Sequence, residues 1–295
     1  MGRDGSARSR ATWIAVAGVL SISVAAPLFK LASPTHPLVA SAWRLSVAGL
    51  IWLILAWRPL RAQPLSSAER SVGAWAGLCY ALHFGAWVWS LELTSVAAST
   101  TLVTTTPLML ALVGALSGRD APTPRAWVGV LIALGGVITL TLSGVGSGGA
   151  RDWSGDLLAL LGAAAMALYL LKVRALGGEV RLAPLSMMAT LGGALTLWLC
   201  CALSLPREAL LPQGAQAWWA LLGAALIPQM IGHAALTESL KSLTPTEVGS
   251  LTLFEPIGAS LLAWLIIGEP LTLLGACLCL TTLLGVWLCL SEAQS

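Results

Sequence analysis

The chain has 295 residues, of which 57% are hydrophobic and only 10% are charged, and its mean hydropathy is +0.84. This composition excludes an ordinary soluble domain, because about 20 consecutive apolar residues suffice to cross a bilayer core and the chain contains many such runs. The formal net charge of +3 gives no support for a nucleic-acid partner. We therefore expect an integral membrane protein that is surrounded by a lipid bilayer.

Ten apolar runs follow one another with short polar connections that leave no room for a folded domain outside the membrane. We expect an all-α polytopic protein with ten transmembrane helices. The runs, numbered here as spans 1 to 10, cover residues 12–33, 36–57, 72–93, 95–117, 125–144, 155–175, 183–204, 215–240, 245–268 and 270–290. Tails are expected at residues 1–11 and 291–295. The basic start of the chain mimics a signal peptide, but span 1 is too long for one, so we expect it to be retained.

Basic residues are distributed unevenly between the two sides of the predicted membrane. If the N-terminus is cytoplasmic, twelve of them lie inside: Arg3, Arg8, Arg10, Arg58, Arg61, Arg70, Arg119, Arg125, Lys172, Arg174, Arg181 and Lys241. Three lie outside: Lys30, Arg151 and Arg207. This bias predicts that both termini are cytoplasmic in an inner (cytoplasmic) membrane protein.

The second half of the chain repeats features of the first half 149 residues later. The pairs include Pro107 with Pro256, Asp120 with Glu269, and Gly136 with Gly285. We expect two five-span repeats at residues 12–144 and 154–290, joined by an external linker at 145–153. Because each repeat has an odd number of spans, the second copy is inverted in the membrane, an arrangement typical of secondary transporters.

Arg44 falls inside span 2, about eight residues from its outer end. This depth is too great for easy snorkelling, so the guanidinium needs a partner inside the protein. A carbonyl or carboxylate that locks the helix bundle is the favoured partner, and a substrate carboxylate is the alternative. Lys30 and Glu92 lie near the outer surface and are candidates for a gate pair.

Histidines occur at nearly equivalent positions of the two repeats, His83 in span 3 and His233 in span 8. A lone histidine on an apolar helix is usually a packing residue, but equivalent residues of inverted repeats converge where transporter sites form. Both are candidates for lining a central cavity, where imidazole can relay protons or bind substrate. Trp87 follows His83 by one helical turn, shares its face and is a further candidate.

Span 4 contains the most polar stretch that is expected at mid-membrane depth. It reads Thr100-Thr101-Leu102-Val103-Thr104-Thr105-Thr106-Pro107. Pro107 frees the carbonyl of Val103, which a threonine hydroxyl can satisfy. Thr101 and Thr105 share one helix face and are candidate substrate contacts. Pro107 and its counterpart Pro256 are expected to bend equivalent helices that form opposite walls of one cavity.

Glu255 lies about ten residues into span 9, which is about 15 Å at 1.5 Å per residue and near the membrane midplane. An ionisable group at this depth is unfavourable unless it faces protein or a water-filled cavity. The neighbouring Pro256 makes the helix irregular, so we expect Glu255 to bind a proton or a substrate ammonium group. The alternative is a protonated carboxyl that hydrogen-bonds to a neighbouring helix.

Several short stretches occur in the order of a known family. They are Phe29 to Ser33 with His36 to Leu45 around span 2, Ala81 to Trp87 with Ser90-Leu91 in span 3, Thr94 to Ser99 with Pro107 in span 4, and Gly232-His233, Leu253 to Ala259 and Gly268-Glu269-Pro270 in spans 8 and 9. In their order and doubling they resemble the EamA family of the drug/metabolite transporter superfamily, over nearly the whole chain.

That resemblance implies ten helices in two inverted five-helix repeats, with a central cavity lined mostly by helices 1, 3, 4, 6, 8 and 9. It also implies the movement of small metabolites, often the export of amino acids. Two positions depart from the family pattern, since Thr237 stands where Asn is common and Glu238 where an apolar residue is common. We expect Glu238 to form an interfacial ion pair with Lys241.

The predicted function is secondary transport of a small metabolite by alternating access, most directly export of amino acids or related small amphipathic compounds, with protons as a candidate coupling ion. The alternatives are an intramembrane lipid-modifying enzyme and a non-transporting membrane scaffold. An enzyme would show clustered ionisable residues or a zinc-binding helix, whereas this chain has three scattered histidines. We expect no catalytic residue, no metal and no cofactor. Monomer and homodimer both remain open.

Overall fold

A computed structural model describes residues 2–109, 123–143, 153–174, 181–239, 241–243, 248 and 251–291. The regular structure within these ranges is entirely helical. The linker predicted at 145–153 and the tail predicted at 291–295 fall almost entirely outside the described residues, as does the end of span 4. The all-α class that the sequence predicts is confirmed.

The first repeat begins with two helices that share span 1. The helices of this repeat are α1 (Gly2–Ile22), α2 (Ala25–Leu31), α3 (Pro37–Ala62), α4 (Ser67–Leu93), α5 (Val96–Val103) and α6 (Pro124–Ser143). Span 1 is interrupted at Ser23 and Val24, so that α1 and α2 share it. Residues 2–11, which we predicted to be a tail, are helical and form the start of α1.

The second repeat contains α7 (Ser154–Arg174), α8 (Leu182–Ser204), α9 (Ala215–Ala224), α10 (Ala234–Ser239), α11 (Glu255–Ile267) and α12 (Leu273–Ser291). Between α9 and α10 the chain winds as a π-helix over Ala225–His233, here called the π-segment. Span 8 is therefore a continuous helical rod with a widened middle. Widened turns of this kind are rare and occur frequently at functional sites.

Capping residues set several helix ends. The Ser66 hydroxyl accepts a hydrogen bond from the Glu69 amide at 3.1 Å, and the Glu69 carboxylate accepts one from the Ser66 amide at 2.8 Å, which forms a capping box at the start of α4. Ser95 caps α5 in the same way through the amide of Ala98. Gly268 ends α11 with a φ of +68°, a left-handed conformation that glycine adopts readily.

Within the described residues, five helical segments are long and apolar enough to cross a membrane. They are Arg8–Leu31, Pro37–Ala62, Ser154–Val173, Leu182–Ser204 and Ala215–Ser239. Shorter apolar helical stretches cover Trp127–Thr139, Glu255–Ile267 and Leu273–Leu288. Together they make this a polytopic membrane protein.

Contacts between the two repeats occur in exchanged pairs. Helix α4 packs against α7, and the counterpart of this contact is the packing of α1 against the π-segment. Three further contacts join an element to its own counterpart, namely α3 with α8, α5 with α11, and α6 with α12. Such exchange is the signature of a pseudo-two-fold axis between the repeats, as inverted repeats require.

The crossing of α6 and α12 follows this symmetry at the level of single residues. A Cβ atom on Gly136 would collide with Thr282, and one on Gly285 would collide with the backbone of Ala133. Because Gly285 and Thr282 lie 149 residues after Gly136 and Ala133, each contact is the image of the other. Glycine at both positions lets the two helix backbones approach closely.

Helix breaks also occur at equivalent positions. The first break is a turn at Thr104 and Thr105, and the second is a turn at Leu253 and Phe254, 149 residues later. Each turn precedes the next helical stretch, which contains Pro107 or Pro256. Discontinuous spans at matched depth are a recurrent feature of transporter binding sites.

Candidate functional site

Arg44 of α3 is completely buried at the centre of the bundle. Its guanidinium carbon lies 4.3 Å from the ring centroid of Phe84 and 5.3 Å from that of Phe29. All three guanidinium nitrogens lack a hydrogen-bond partner among the described residues. The carbonyl or carboxylate that we predicted as a locking partner is therefore not found there, and the two aromatic rings stabilise the charge by cation–π attraction instead.

Two pairs of side chains that are related by the 149-residue offset contact each other near Arg44. Phe84 of α4 and His233 of the π-segment have ring centroids 5.5 Å apart, with the rings at 90°. Tyr80 and Gln229 form the second pair, and their side chains interact. Residues that a two-fold axis relates can touch each other only beside that axis, so these four side chains mark its position.

These observations define a set of side chains that we call the axial cluster. Its members are Phe29, Arg44, Tyr80, Phe84, Trp87, Gln229 and His233. The Tyr80 ring lies 5.2 Å from that of Phe84 and 6.4 Å from that of His233. Tyr169 of α7 flanks the cluster, with its ring centroid 5.1 Å from that of Tyr80.

His83 occupies a different side of α4 from Phe84. Its Nδ1 atom lies 2.9 Å from the carbonyl oxygen of Gly162 in α7, and because a carbonyl only accepts, Nδ1 carries the proton. The His83 ring stacks on the predicted partner Trp87, with centroids 6.2 Å apart and 15° between the rings. His83 thus joins α4 to α7, while its ring remains 4.6 Å from that of Phe84.

Trp87 and Gln229 each present a buried polar atom to the protein interior. The Trp87 indole is 3% exposed and contacts the rings of both Phe29 and Phe84, yet its Nε1 donor has no partner among the described residues. The Gln229 side chain is 2% exposed, and its Oε1 acceptor likewise lacks a described partner. Buried polar atoms are normally hydrogen-bonded, so such a concentration near one cluster indicates a place for a ligand.

Glu255 is the first residue of α11 and is half-buried. Its carboxylate interacts electrostatically with Arg44, but the two groups do not form an ion pair within 4.0 Å in the described part of the chain. The backbone carbonyl of Glu255 accepts a weak hydrogen bond from the Ser23 hydroxyl at 3.5 Å. The interruption in span 1 therefore packs directly against the break in span 9.

The threonines of span 4 mainly satisfy their own helix. Thr106 donates to the freed carbonyl of Val103 at 3.0 Å and to Ala163 of α7 at 3.2 Å, so the predicted capping beside Pro107 is confirmed. Thr105 donates to Leu102 at 2.7 Å. Thr101 lies beside Cys279 of α12 rather than beside the axial cluster.

Contacts between the repeats close the bundle near both ends. At the predicted outer end, Trp43 donates to the carbonyl of Leu210 and the Gln213 amide donates to Thr35. At the predicted inner end, Arg181 pairs with Glu69 at 2.7 Å.

The proposed gate residues Lys30 and Glu92 do not form an ion pair in the described structure, whereas the predicted pair of Glu238 and Lys241 is confirmed at 2.7 Å.

Sequence reasoning did not select four members of the axial cluster. They are Phe29, Tyr80, Phe84 and Gln229. A signal for Gln229 existed, because an uncharged polar residue beside Pro228 in an apolar span stands out as an ionisable one does. The sequence contains no comparable signal for the aromatic residues.

Across the described residues, no three His, Cys, Asp or Glu side chains lie close enough together to hold a metal ion.

Comparison with known proteins accounts for this architecture. The sequence profile of the EamA-like transporter family matches residues 9–142 and again residues 153–291. The chain belongs to the EamA-like transporter family. It is accordingly a member of the drug/metabolite transporter superfamily with two EamA repeats.

Individual proteins are also similar to this EamA chain. An uncharacterized protein of Pseudomonas aeruginosa is 33% identical over 162 residues, which cover 55% of this chain and 53% of that relative, or about half its length. A crystal structure of another protein covers 98% of this chain and 100% of its own, with a TM-score of 0.69 and 20% sequence identity. At that identity the likeness shows the fold alone.

Membership gives the axial cluster a functional setting. EamA proteins are transporters, which act on small molecules from within a lipid bilayer. In this EamA protein the cluster lies where the two repeats meet, beside interrupted helices. These are the positions at which inverted-repeat transporters bind their substrates.

Proposed function

We propose that this EamA protein is a secondary transporter that exports amino acids or related small amphipathic compounds by alternating access. The observation that carries the proposal is the axial cluster, in which buried polar atoms of Arg44, Trp87 and Gln229 lack described protein partners at the junction of the repeats. Rocking of the repeats about the axis would open this cluster to one side of the membrane at a time. We place the protein in the inner membrane with both termini in the cytoplasm, as the basic residues predict.

The chemistry of the cluster suits an amphipathic compound. Phe29, Tyr80 and Phe84 offer apolar ring surface, while Arg44 and Glu255 offer opposite charges. A zwitterion that lies between the two charges would satisfy both. Its side chain would then contact the rings, which accept many shapes because ring faces make few directional demands.

Coupling to protons is assigned to Glu255. Arg44 is the charged group that interacts with the Glu255 carboxylate. An ionised Glu255 attracts a substrate ammonium group, and a protonated Glu255 does not. Because proton and substrate then exclude each other, inward proton flow would drive export of the substrate by exchange.

Gradient-driven transport in proteoliposomes tests this proposal. We expect the wild type to exchange radiolabelled amino acids against protons, and Glu255→Gln to lose accumulation against a gradient while retaining exchange of substrate for substrate. Glu238→Gln is the matched control, since Glu238 is exposed and pairs with Lys241 at the surface. Unchanged proton-driven accumulation by Glu255→Gln would refute the coupling role, and the absence of transport for every compound would refute the proposed function.

A further inference from the structure

We propose that Arg44 and Trp87 form a carboxylate-binding subsite, so that the compounds the site binds must carry a carboxylate, whereas an ammonium group serves exchange with protons at Glu255 and is dispensable for binding. The inference rests on the proposed function, because it assigns a substrate class to the same site. It goes further by separating carboxylates from amines, which a cavity described only as aromatic and polar would accept equally.

The state of the Arg44 side chain is the first observation. Removing a guanidinium from water is strongly unfavourable unless its N–H groups are hydrogen-bonded, and Arg44 is 0% exposed without such a bond to any described residue. The rings of Phe29 and Phe84 attract the charge but provide no oxygen lone pairs. A carboxylate provides them in the planar, two-pronged geometry that matches the guanidinium.

Trp87 supplies an independent second observation. Its indole nitrogen can only donate, and this donor has no partner among the described residues although the side chain is 3% exposed. The Trp87 ring lies 5.7 Å from Phe29 and 6.4 Å from Phe84, the same two rings that hold Arg44. The Arg44 guanidinium and the Trp87 indole N–H therefore lie against the same pair of rings, and both groups require a hydrogen-bond acceptor.

Charge decides between an anionic and a cationic ligand. The carboxylate that interacts with Arg44 is Glu255, which does not pair with it within 4.0 Å in the described structure. An amine without a carboxylate would leave the donors of Arg44 and Trp87 unmatched and would add a charge of the same sign near Arg44. A carboxylate satisfies both donors, and an ammonium group, where present, can turn toward Glu255 or the unpartnered Oε1 of Gln229.

Binding measurements on the detergent-solubilised protein test the carboxylate requirement. The probes are two matched series: phenylalanine, hydrocinnamate and phenethylamine, then leucine, isocaproate and isoamylamine. We expect each carboxylate, with or without its ammonium group, to raise the melting temperature and to bind in titration calorimetry, because ligands stabilise the state they bind. The two amines should do neither. Stabilisation by the amines, or by no carboxylate, overturns the proposal.

Variants locate the subsite. Arg44→Gln is expected to weaken hydrocinnamate binding about tenfold or more, and Trp87→Phe about threefold or more, since each removes a donor to a charged acceptor. Arg61→Gln is the matched control, because Arg61 also stacks on an aromatic ring, that of Trp57, but is exposed. Trp13→Phe, at a residue 71% exposed, is the control for Trp87. Neither control should change the affinity.

Should Arg44→Gln fail to fold, Arg44→Lys and Trp87→Phe decide the matter. Lysine keeps the charge but lacks the planar fork, so Arg44→Lys should also bind hydrocinnamate more weakly. Unaltered affinity in both variants overturns the subsite. Transport of amines alone would overturn it while leaving the proposed function intact, whereas carboxylate binding without any transport would overturn the proposed function and leave the subsite standing.

Discussion

The ion pair between Arg181 and Glu69 joins the two repeats at the predicted inner end of the bundle. Arg181 donates to both carboxylate oxygens, at 2.7 and 2.9 Å, and to the carbonyl of Gln63 at 2.7 Å. Hydrogen bonds from Arg181 and from the Ser66 backbone lower the pKa of Glu69 to about 2. The pair fastens the connection between α3 and α4 to the start of α8.

A stability difference between the wild type and Glu69→Gln should reveal this contact. Glutamine preserves the capping box but removes the charge, so we expect the melting temperature at neutral pH to fall by about 2 °C. Because the pKa of Glu69 is lower in the folded protein, its contribution is present above the ordinary carboxyl pKa and is lost as the pH falls toward 2. The difference between the two proteins should therefore shrink over that range. A constant difference down to pH 3 would contradict the assignment.

At the level of residues, the sequence revealed the charged and imidazole groups and Trp87, but not Phe29, Tyr80 or Phe84. Glu255 and Arg44 stand out because an ionisable group in lipid is unfavourable, whereas Phe84 is as compatible with lipid as with a cavity. The sequence also did not predict the direction in which each side chain points around its helix. His83 and His233 differ by one residue in register, which corresponds to about 100° of rotation, and His83 consequently turns toward α7 while His233 faces Phe84.

Among the elements, the crossing of α6 and α12 depends most directly on single residues. Gly136 and Gly285 each face the other helix without room for a methyl group. A Cβ atom on Gly135, the neighbour of Gly136, would instead have no described atom within 4 Å. Gly135 and Gly136 are adjacent in α6 but lie in opposite environments, because Gly136 packs tightly against α12 and Gly135 faces open space.

Alanine substitutions at these glycines should therefore differ in their effect on stability. We expect Gly136→Ala and Gly285→Ala each to destabilise the protein by about 1–3 kcal/mol, because the added methyl group forces the helices apart. Gly135→Ala should leave the melting temperature unchanged or raise it, since alanine favours helix more than glycine does. Detergent thermal unfolding, followed by size-exclusion chromatography, measures all three. Equal effects at Gly135 and Gly136 would show that the close crossing is wrong.

Helix positions were predictable because the length of each apolar run fixes them, but interruptions were only partly predictable. Pro107 and Pro256 indicated irregular helices, and the turns at Thr104–Thr105 and Leu253–Phe254 lie where those prolines require. Pro228 was a sign of the π-segment, and Pro27 was a sign of the interruption at Ser23 and Val24 because a proline frees the carbonyl four residues before it, but neither proline specifies the form of the break. Both depend on packing against another helix, which local sequence does not specify.

For the whole molecule, inversion of the repeats creates a site from residues that are far apart in the chain. Phe84 and His233 meet because the axis relates them, and Arg44 lies beside the same rings. The 149-residue repeat was readable from the sequence, so the two-fold relation could be expected before any contact was known. Which of the equivalent residues would touch depended on where the axis passes.

The most direct test of one shared, alternately exposed site is thiol labelling at His233. In a variant whose native cysteines are replaced by serine, His233→Cys is treated with a membrane-impermeant thiol reagent, once in intact cells and once in inside-out vesicles. Alternating access predicts reaction from both sides, and slower reaction from both sides when hydrocinnamate is present. Reaction from one side only, or labelling that hydrocinnamate does not slow from either side, would contradict a single site between the repeats.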